Sequence, residues 1–225
     1  LSDAEQLGLY GELYLLRRLL NLATKEKIPH IEVLNRWSGP EAEKRDFADT
    51  DQSEDNLTIA VEAKATSSGG REHRISSVSQ LNYTDLELYV FSMNVRQSNS
   101  GTENLLDIVI DIRNNHINKD CLPIFDEKLA NYGSGFLPEH TRSYERVKKY
   151  TLHDDYGPAL YRINEETQAM TKNSFDETHW EQKQWSNVQY TLNLTGTAHV
   201  VDSDLSNDLA PDTKDILLRM TKPNP

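Results

Sequence analysis

The chemistry of this chain centres on a glutamate and a lysine two residues apart, Glu62 and Lys64, which follow the apolar segment 57–61. Another acid, Asp46, lies upstream at a distance that a β-hairpin would close. A buried strand that brings a carboxylate and an ammonium to one edge, with a second carboxylate nearby, can hold a divalent cation against a phosphodiester. These residue types therefore indicate metal-dependent hydrolysis of a phosphodiester.

The spacing of an acid and a lysine is weak evidence by itself. The pattern acid-x-Lys occurs at Glu62/Lys64, Asp126/Lys128, Glu181/Lys183 and Asp212/Lys214, and composition alone predicts about two matches in a chain of this length. Only the first match ends an apolar segment and follows a second acid. The second match lies on a predicted helix, where residues two apart diverge, and the other two lie in polar segments.

The predicted ligands of the cation are oxygen atoms. Asp46 and Glu62 would supply carboxylates and Ala63 its main-chain carbonyl, because Mg²⁺ prefers oxygen ligands and keeps several waters. Mn²⁺ is the alternative ion. Two carboxylates beside Lys64 favour its charged form, so we interpret this lysine as a charge stabiliser that positions water or phosphate. The alternatives are a cross-strand ion pair for Glu62 and Lys64, and a turn residue for Asp46.

Two further polar residues are candidates for the same site. Glu12 lies among apolar residues of a predicted helix, and a buried carboxylate is costly unless it is paired. It would either join the metal site or pair with a cation such as Arg17 or Lys64. Gln80 follows the motif and would hydrogen-bond the lysine, a water or a phosphate, unless it only caps a helix.

The elements that must position these residues follow from hydrophobic periodicity. Ser2 and Glu5 have the spacing of a capping box at the start of the first helix. On the predicted strand, Glu62 and Lys64 are two residues apart and so share one face. Helices are predicted over 3–24, 103–116, 125–132 and 215–220, strands over 57–66, 73–75, 88–95, 147–152, 160–163 and 188–194, and a short strand or connector over 31–37. This order predicts an α/β fold with a central mixed β-sheet flanked by helices. Residues 1–135 are predicted to form the core domain, and 136–225 a β-containing C-terminal extension packed on it.

Composition bounds the function classes. The chain has 225 residues and a net charge of -12, which argues against binding nucleic acid by bulk attraction. Arg71, His73 and Arg74 either form a solvated loop or contact phosphate, while the basic stretch 142–149 is better explained as a solvated face. The single cysteine, Cys121, excludes an internal disulfide and a Cys-rich zinc site.

The setting of the chain is predicted from the same composition. No apolar stretch approaches the roughly 18 residues that cross a bilayer, so we expect no membrane partner and a cytoplasmic location. The chain begins at Leu1 rather than Met, which indicates a portion of something longer.

Five ordered segments resemble a known superfamily. They are residues 8–13, 37–40, 45–47, 61–66 and 74–77 running on to 80–81. Together they resemble the PD-(D/E)XK phosphodiesterases of restriction-endonuclease-like fold, and more closely the bacterial "PD-(D/E)XK motif proteins" of restriction and phage-defence clusters. The resemblance implies Asp46, Glu62 and Lys64 as the catalytic set, Mg²⁺ as cofactor and DNA as substrate. Arg45 stands where the motif's name has proline, a replacement that is common in the superfamily.

Three hypotheses follow from these observations. The first is a Mg²⁺-dependent DNA endonuclease that acts in restriction of foreign DNA, alone or as a homodimer. The second is a catalytically weak or inactive nuclease-fold subunit that binds DNA or assembles with an ATPase, helicase or methyltransferase partner. The third, a metal-dependent hydrolase of another substrate, is disfavoured because the histidine clusters of many such sites are missing from the sequence.

Overall fold

A computed structural model describes residues 1–39, 45–48, 59–83, 86–133, 148–167, 169, 189–197 and 211–221. Its α-helices are α1 (Asp3–Glu26), α2 (His30–Arg36), α3 (Leu105–Asp111), α4 (Leu122–Ala130) and α5 (Pro211–Arg219). Short 3₁₀ helices span Val78–Leu81, Lys119–Cys121 and Glu165–Thr167, and a π-helical turn, Ile112–His116, continues α3. The strands are β1 (Phe47–Ala48), β2 (Ile59–Thr66), β3 (Glu72–Ile75), β4 (Glu87–Ser98), β5 (Glu103–Asn104), β6 (Lys149–Leu152), β7 (Ala159–Ile163) and β8 (Tyr190–Asn193).

The central sheet of the described chain is mixed. Its order is β1-β2-β4-β6-β5, with β7 also paired to β4. Only β2 and β4 run parallel, while β1, β6 and β7 pair antiparallel with their neighbours. With α-helices packed on this sheet, the predicted α/β class with a restriction-endonuclease-like core is confirmed. A separate two-stranded ribbon is formed by β3 and β8.

The first helix begins and ends where the sequence provides caps. Ser2 and Glu5 form the predicted capping box, and Lys27 ends the helix in the left-handed region at φ 59°. Gly11 lets this helix approach the sheet, because a Cβ there would lie 3.0 Å from the Cβ of Ala65 in β2. The close approach carries the next residue of the helix, Glu12, to the end of β2.

The predicted strand or connector over 31–37 is wrong, because this segment forms α2. Ile31 and Val33 have the alternation of a strand. However, Val33, Leu34 and Trp37 also lie on one face of a helix, and all three are fully buried in the core. Burial of that helical face decides between the two periodicities.

The sheet separates two cores, because alternate residues of a strand face opposite ways. Ile59 and Val61 of β2 join the larger core, which α1 covers. Ala60 joins the smaller core beneath β3 and β8. Glu62 and Lys64 share its side of the strand, as predicted from the alternation.

Elements late in the chain pack against both cores. Leu192 and Leu194, in and after β8, are buried in the smaller core. Ile216 and Leu217 of α5 are buried in the larger one. On the surface, Lys214 of α5 pairs with a glutamate of α1 at 2.5 Å. The predicted division between a core and an extension at residue 135 stays a prediction.

Candidate active site

The hairpin of β1 and β2 brings the two predicted carboxylates together. Phe47 pairs with Val61 and Ala48 with Ala60, so the ladder extended by one residue places Asp46 opposite Glu62. The predicted hairpin is therefore present, although its loop and the start of the apolar segment, residues 57–58, lie outside the described residues.

Asp46 accepts a hydrogen bond where the β1–β2 ladder ends. Its Oδ2 accepts from the main-chain N–H of Ala63 at 2.8 Å. Because the N–H and C=O of one strand residue point to the same side, the Ala63 carbonyl also faces the Asp46 side. The predicted carboxylate and carbonyl ligands thus lie at one edge of β2.

Segment 37–39 fixes the main chain around Asp46. The N–H groups of Ser38 and Gly39 donate to the Asp46 carbonyl at 2.9 and 3.2 Å. The Ser38 hydroxyl donates to the carbonyl of Arg45 at 2.8 Å. Trp37 forms an isolated β-bridge with Phe47. The Trp-Ser-Gly stretch therefore holds the main chain on both sides of Asp46.

Glu62 is the most deeply buried acid of the site, with 1% of its surface exposed. Its Oε1 accepts from Lys64 Nζ at 2.7 Å and from Gln80 Nε2 at 2.5 Å. Its Oε2 is buried and has no hydrogen-bond partner among the described residues. Leaving a buried carboxylate oxygen without a partner is costly, so this atom marks a place for a cationic ligand.

Negative charge is in excess around Asp46. Burial raises its pKa well above the ordinary value, and the charges of Glu62 and Glu12 raise it further. For Lys64, burial alone would lower the pKa, but Glu62 and Asp46 outweigh it and raise the value overall. The lysine therefore stays an ammonium at neutral pH, in line with the predicted role of charge stabiliser.

Gln80 lies in the 3₁₀ helix Val78–Leu81 and is held at both ends of its amide. While its Nε2 donates to Glu62, its Oε1 accepts from the N–H and the hydroxyl of Ser76, each at 3.2 Å. On the main chain, its carbonyl accepts from Arg45 Nη1. Gln80 is thus a contact of the motif glutamate rather than a helix cap alone.

Glu12 reaches the same region from the other side of the sheet. Its Oε2 accepts from Trp37 Nε1 at 3.0 Å and from the Tyr132 hydroxyl at 2.8 Å. Burial raises the pKa of this carboxyl, and the two hydrogen bonds lower it in part. Gly39 leaves room for the carboxylate, because a Cβ there would overlap Glu12 Oε2.

The predicted pairing of Glu12 with Arg17 is not observed. Arg17 bonds instead to Glu103 at 2.6 Å and to Asp111 at 2.8 Å. The second proposed partner, Lys64, acts on Glu12 through its charge, which lowers the pKa of the carboxyl.

Four residues at or beside this site were not singled out as site residues. In the sequence, Trp37 only begins an ordered segment, Tyr132 only ends a predicted helix, Arg45 is only a departure from the motif, and Lys128 is part of a chance match. Lys128 is buried, and its Nζ donates to the Trp37 carbonyl at 2.8 Å. The signal available for Trp37 was its place in an ordered segment, whereas the partners of Tyr132 and Lys128 lie far away in sequence.

Two of the three basic residues expected to meet phosphate are buried instead. Arg71 donates to the carbonyls of Ser92 and Gly157 at 3.2 and 2.5 Å. His73 bonds through Nε2 to Ser92 Oγ at 2.7 Å. Arg74 remains exposed and donates to Gln189. Phosphate contact by Arg71 and His73 is therefore corrected to a structural role, since both side chains face the protein interior. Residues 142–147 of the other basic stretch lie outside the described residues.

The donor set fits a small divalent cation. Across the parts of the chain that the structure describes, no group of three or more His, Cys, Asp and Glu side chains has the arrangement of a metal site. A cation would need main-chain and water ligands beside Asp46 and Glu62, which suits Mg²⁺ because this ion keeps several waters. The partnerless Glu62 Oε2 and the surplus negative charge support that fit.

Comparison with known proteins gives one match. A family model described as "Putative PD-(D/E)XK family member" (DUF4420) matches residues 1–166. This range is more than half of the chain and includes each site residue named above. No curated protein and no solved structure matches the chain significantly. Within the described residues, no helix has the length and apolar character to span a bilayer.

Proposed function

Because the chain belongs to this PD-(D/E)XK family, we propose that it is a metal-dependent DNA endonuclease that hydrolyses phosphodiester bonds in restriction or phage defence. The observation that carries the proposal is the buried Glu62 Oε2, which has no partner within the described part of the chain and lies on the residue opposite Asp46. A buried carboxylate and a half-buried one on opposite residues of a hairpin favour a bound divalent cation.

Each side chain of the site has a distinct role in this proposal. Asp46, Glu62 and the Ala63 carbonyl hold the cation, which when bound supplies an activated water and neutralises charge on the scissile phosphate. Lys64 stabilises the negative charge that develops on the phosphate, because its raised pKa keeps it protonated. Gln80 holds Oε1 of Glu62 and so directs Oε2 toward the ligand position.

Glu12 supports the site as an outer carboxylate. Trp37 and Tyr132 fix its Oε2, and burial raises the pKa of the carboxyl. Its charge nevertheless raises the pKa of Asp46, so the two acids share one electrostatic environment. A carboxyl in this place can hold or release a proton as the charge of the site changes.

The test is cleavage of supercoiled plasmid by the purified chain. Nicking or linearisation should require Mg²⁺ or Mn²⁺ and stop in EDTA. Lys64→Met and Asp46→Asn should lower the rate at least about a hundredfold, since each removes charge that acts on the phosphate or the cation. Full activity in either variant, with unchanged folding, would contradict the proposal.

The sequence provides a matched control for the lysine. Lys214 also follows an acid by two residues, but its ammonium pairs with Glu26 at the surface at 2.5 Å. Lys214→Met removes the same chemical group from the same tripeptide pattern outside the site. This variant should cleave at the wild-type rate.

A second candidate function is a non-cutting subunit that binds DNA within a complex. The burial of Arg71 and His73 favours it, because segment 71–74 at the start of β3 then offers only Arg74 to a phosphate, in a chain of net charge -12. A partner such as an ATPase, a helicase or a methyltransferase subunit would then supply the grip on DNA. DNA retention at low salt without cleavage in any divalent cation would favour this candidate over the first.

A further inference from the structure

Arg45 links the two parts of the candidate active site. It directly precedes Asp46 and is 7% exposed. Its Nη1 donates to the main-chain carbonyl of Gln80 and its Nη2 to that of Asn82 at 2.7 Å. The planar fork of a guanidinium can bond two acceptors at once in a fixed geometry. Arg45 therefore ties the strand of the first carboxylate to the 3₁₀ helix.

The 3₁₀ helix needs such an anchor. It has only four residues, and hydrogen bonds within 3₁₀ helices have poorer geometry than those of α-helices. Gln80 must nevertheless hold its Nε2 within 2.5 Å of Glu62 Oε1. Ser76 fixes the far end of the amide, and Arg45 fixes the main chain of the same residue.

Arg45 also lies within the electrostatic field of the site. Burial lowers its pKa, whereas the charges of Glu62 and Asp46 raise it. An arginine stays charged in proteins, so it offsets part of the negative charge around the two acids. A proline in this place, as in the name of the motif, would provide neither the charge nor the two bonds.

We propose that Arg45 is a positioning residue, which acts through Gln80 to fix the Glu62 carboxylate in the orientation that binds the cation. The inference rests on the proposed function for the identity of the ligand. It adds to that function by assigning a role to the residue in the proline position of the motif.

A double-mutant cycle on cation affinity tests the route of action. Titration calorimetry with Mn²⁺ and no DNA would compare wild type, Arg45→Met, Gln80→Ala and the double variant. Each single change should weaken binding about tenfold, as is typical for residues that orient a metal ligand. The double variant should bind Mn²⁺ no more weakly than the weaker-binding single variant, because both changes remove the same interaction. If the two losses of Mn²⁺ affinity multiply, to about a hundredfold in the double variant, the proposal is overturned.

Hydrogen exchange of the protein without metal tests the positioning itself. Arg45→Met should speed amide exchange over residues 76–82, whereas Arg36→Met should leave that segment unchanged. Arg36 is a matched control because it is equally buried and donates to a main-chain carbonyl, that of Glu32, at 3.1 Å. Unchanged exchange of 76–82 in a folded Arg45→Met protein would overturn the inference.

Arg45→Lys separates charge from geometry and serves as the test variant if Arg45→Met does not fold. Lysine keeps the charge, but one ammonium does not reproduce the fork. Faster exchange and weaker Mn²⁺ binding than wild type support positioning, and full wild-type behaviour contradicts it. A wild-type protein that binds no divalent cation would contradict the proposed function, while the exchange experiment would still decide the role of Arg45.

Discussion

Two neighbouring buried polar clusters differ in how their charge is balanced. The carboxylate cluster consists of Glu12, Asp46, Glu62 and Lys64, and the arginine cluster of Arg71, His73, Ser92 and Asn94. They adjoin where Lys64 of β2 is in register with Ser92 of β4. The same strand pair therefore carries both clusters.

The arginine cluster has no surplus of acid. Arg71 donates to two main-chain carbonyls and to the Ser92 hydroxyl, and its guanidinium lies over the Tyr161 ring at 5.5 Å. Burial, with the positive charges of Lys64 and Arg71, lowers the pKa of His73 to about 3. The histidine is therefore neutral at physiological pH, although its Nδ1 has no hydrogen-bond partner.

The difference shows which buried charges suit chemistry. Acids outnumber the lysine in the carboxylate cluster, so a cation would lower its energy. Arg71 is satisfied by neutral oxygen atoms, so it anchors β3 and needs no ligand. Both clusters were candidates from residue type alone, and the charge balance after folding separates them.

Acidification should affect the arginine cluster most strongly. The unfolded His73 takes up a proton below its ordinary pKa of 6.5, and the folded one only near pH 3. Stability should therefore fall by about 1.4 kcal/mol per pH unit between about pH 6 and 4. Urea unfolding of wild type and His73→Gln, which keeps an amide for Ser92, measures this slope. Parallel pH profiles of the two proteins would refute the prediction.

Removal of the anchoring arginine should have the next largest effect. Arg71→Met leaves the carbonyls of Ser92 and Gly157 without their buried donor. We expect a loss of about 3 kcal/mol in the free energy of unfolding. Chemical denaturation measures it, and Mn²⁺ affinity at a temperature where the variant is folded should stay at the wild-type value. A cation affinity reduced tenfold in the folded variant would mean that the clusters are not independent.

Neutralising an acid of the carboxylate cluster should stabilise the protein. Folding raises the pKa of Asp46. The free-energy cost of its buried charge is therefore absent below pH 3.8, the ordinary pKa, and grows as the pH rises toward the pKa of the folded state. At pH 7, Asp46→Asn should therefore gain about 1 kcal/mol without metal. Thermal melting is compared with and without Mg²⁺ at about 10 mM. Only the wild type should melt at a higher temperature with the ion, because a ligand that binds the folded state stabilises it. A destabilised metal-free variant would count against an excess of buried charge.

The smallest effect is expected at Arg74, the exposed arginine of β3. Arg74→Ala should change the free energy of unfolding by less than about 0.5 kcal/mol, because the side chain is exposed. If Arg74 contacts a phosphate, the salt dependence of DNA binding should lose about one unit of slope. Fluorescence anisotropy at several salt concentrations measures this slope, and an unchanged slope would exclude Arg74 from the DNA contact.

Local signals in the sequence were enough to predict much of the fold. The capping residues Ser2 and Glu5, with the helical periodicity after them, predicted α1 almost to its last residue. An apolar segment predicted β2, and the two-residue period of strand side chains predicted that Glu62 and Lys64 share one side of it. The prediction for the segment that forms α2 was wrong because its apolar residues fit both a strand and a helix period. Only burial in the folded protein selects the helix.

Only the contacts between site residues that are close in sequence could be predicted. Asp46, Glu62 and Lys64 share a hairpin, so their proximity follows from strand pairing. Tyr132 meets Glu12 across 120 residues of chain, and no pattern in the sequence records that contact. The catalytic roles of these residues stay predictions until cleavage is measured.

The elements beyond the family match affect how the protein can be handled. A fragment that ends near residue 166 would keep the whole motif but lose β8 and α5. Strand β3 would then present an unpaired edge, and unpaired edges recruit other chains. The apolar side of α1 that packs against Ile216 and Leu217 would also meet water. We therefore expect an expression boundary drawn from the family match to give an aggregating fragment, and a boundary after residue 221 to keep both surfaces covered.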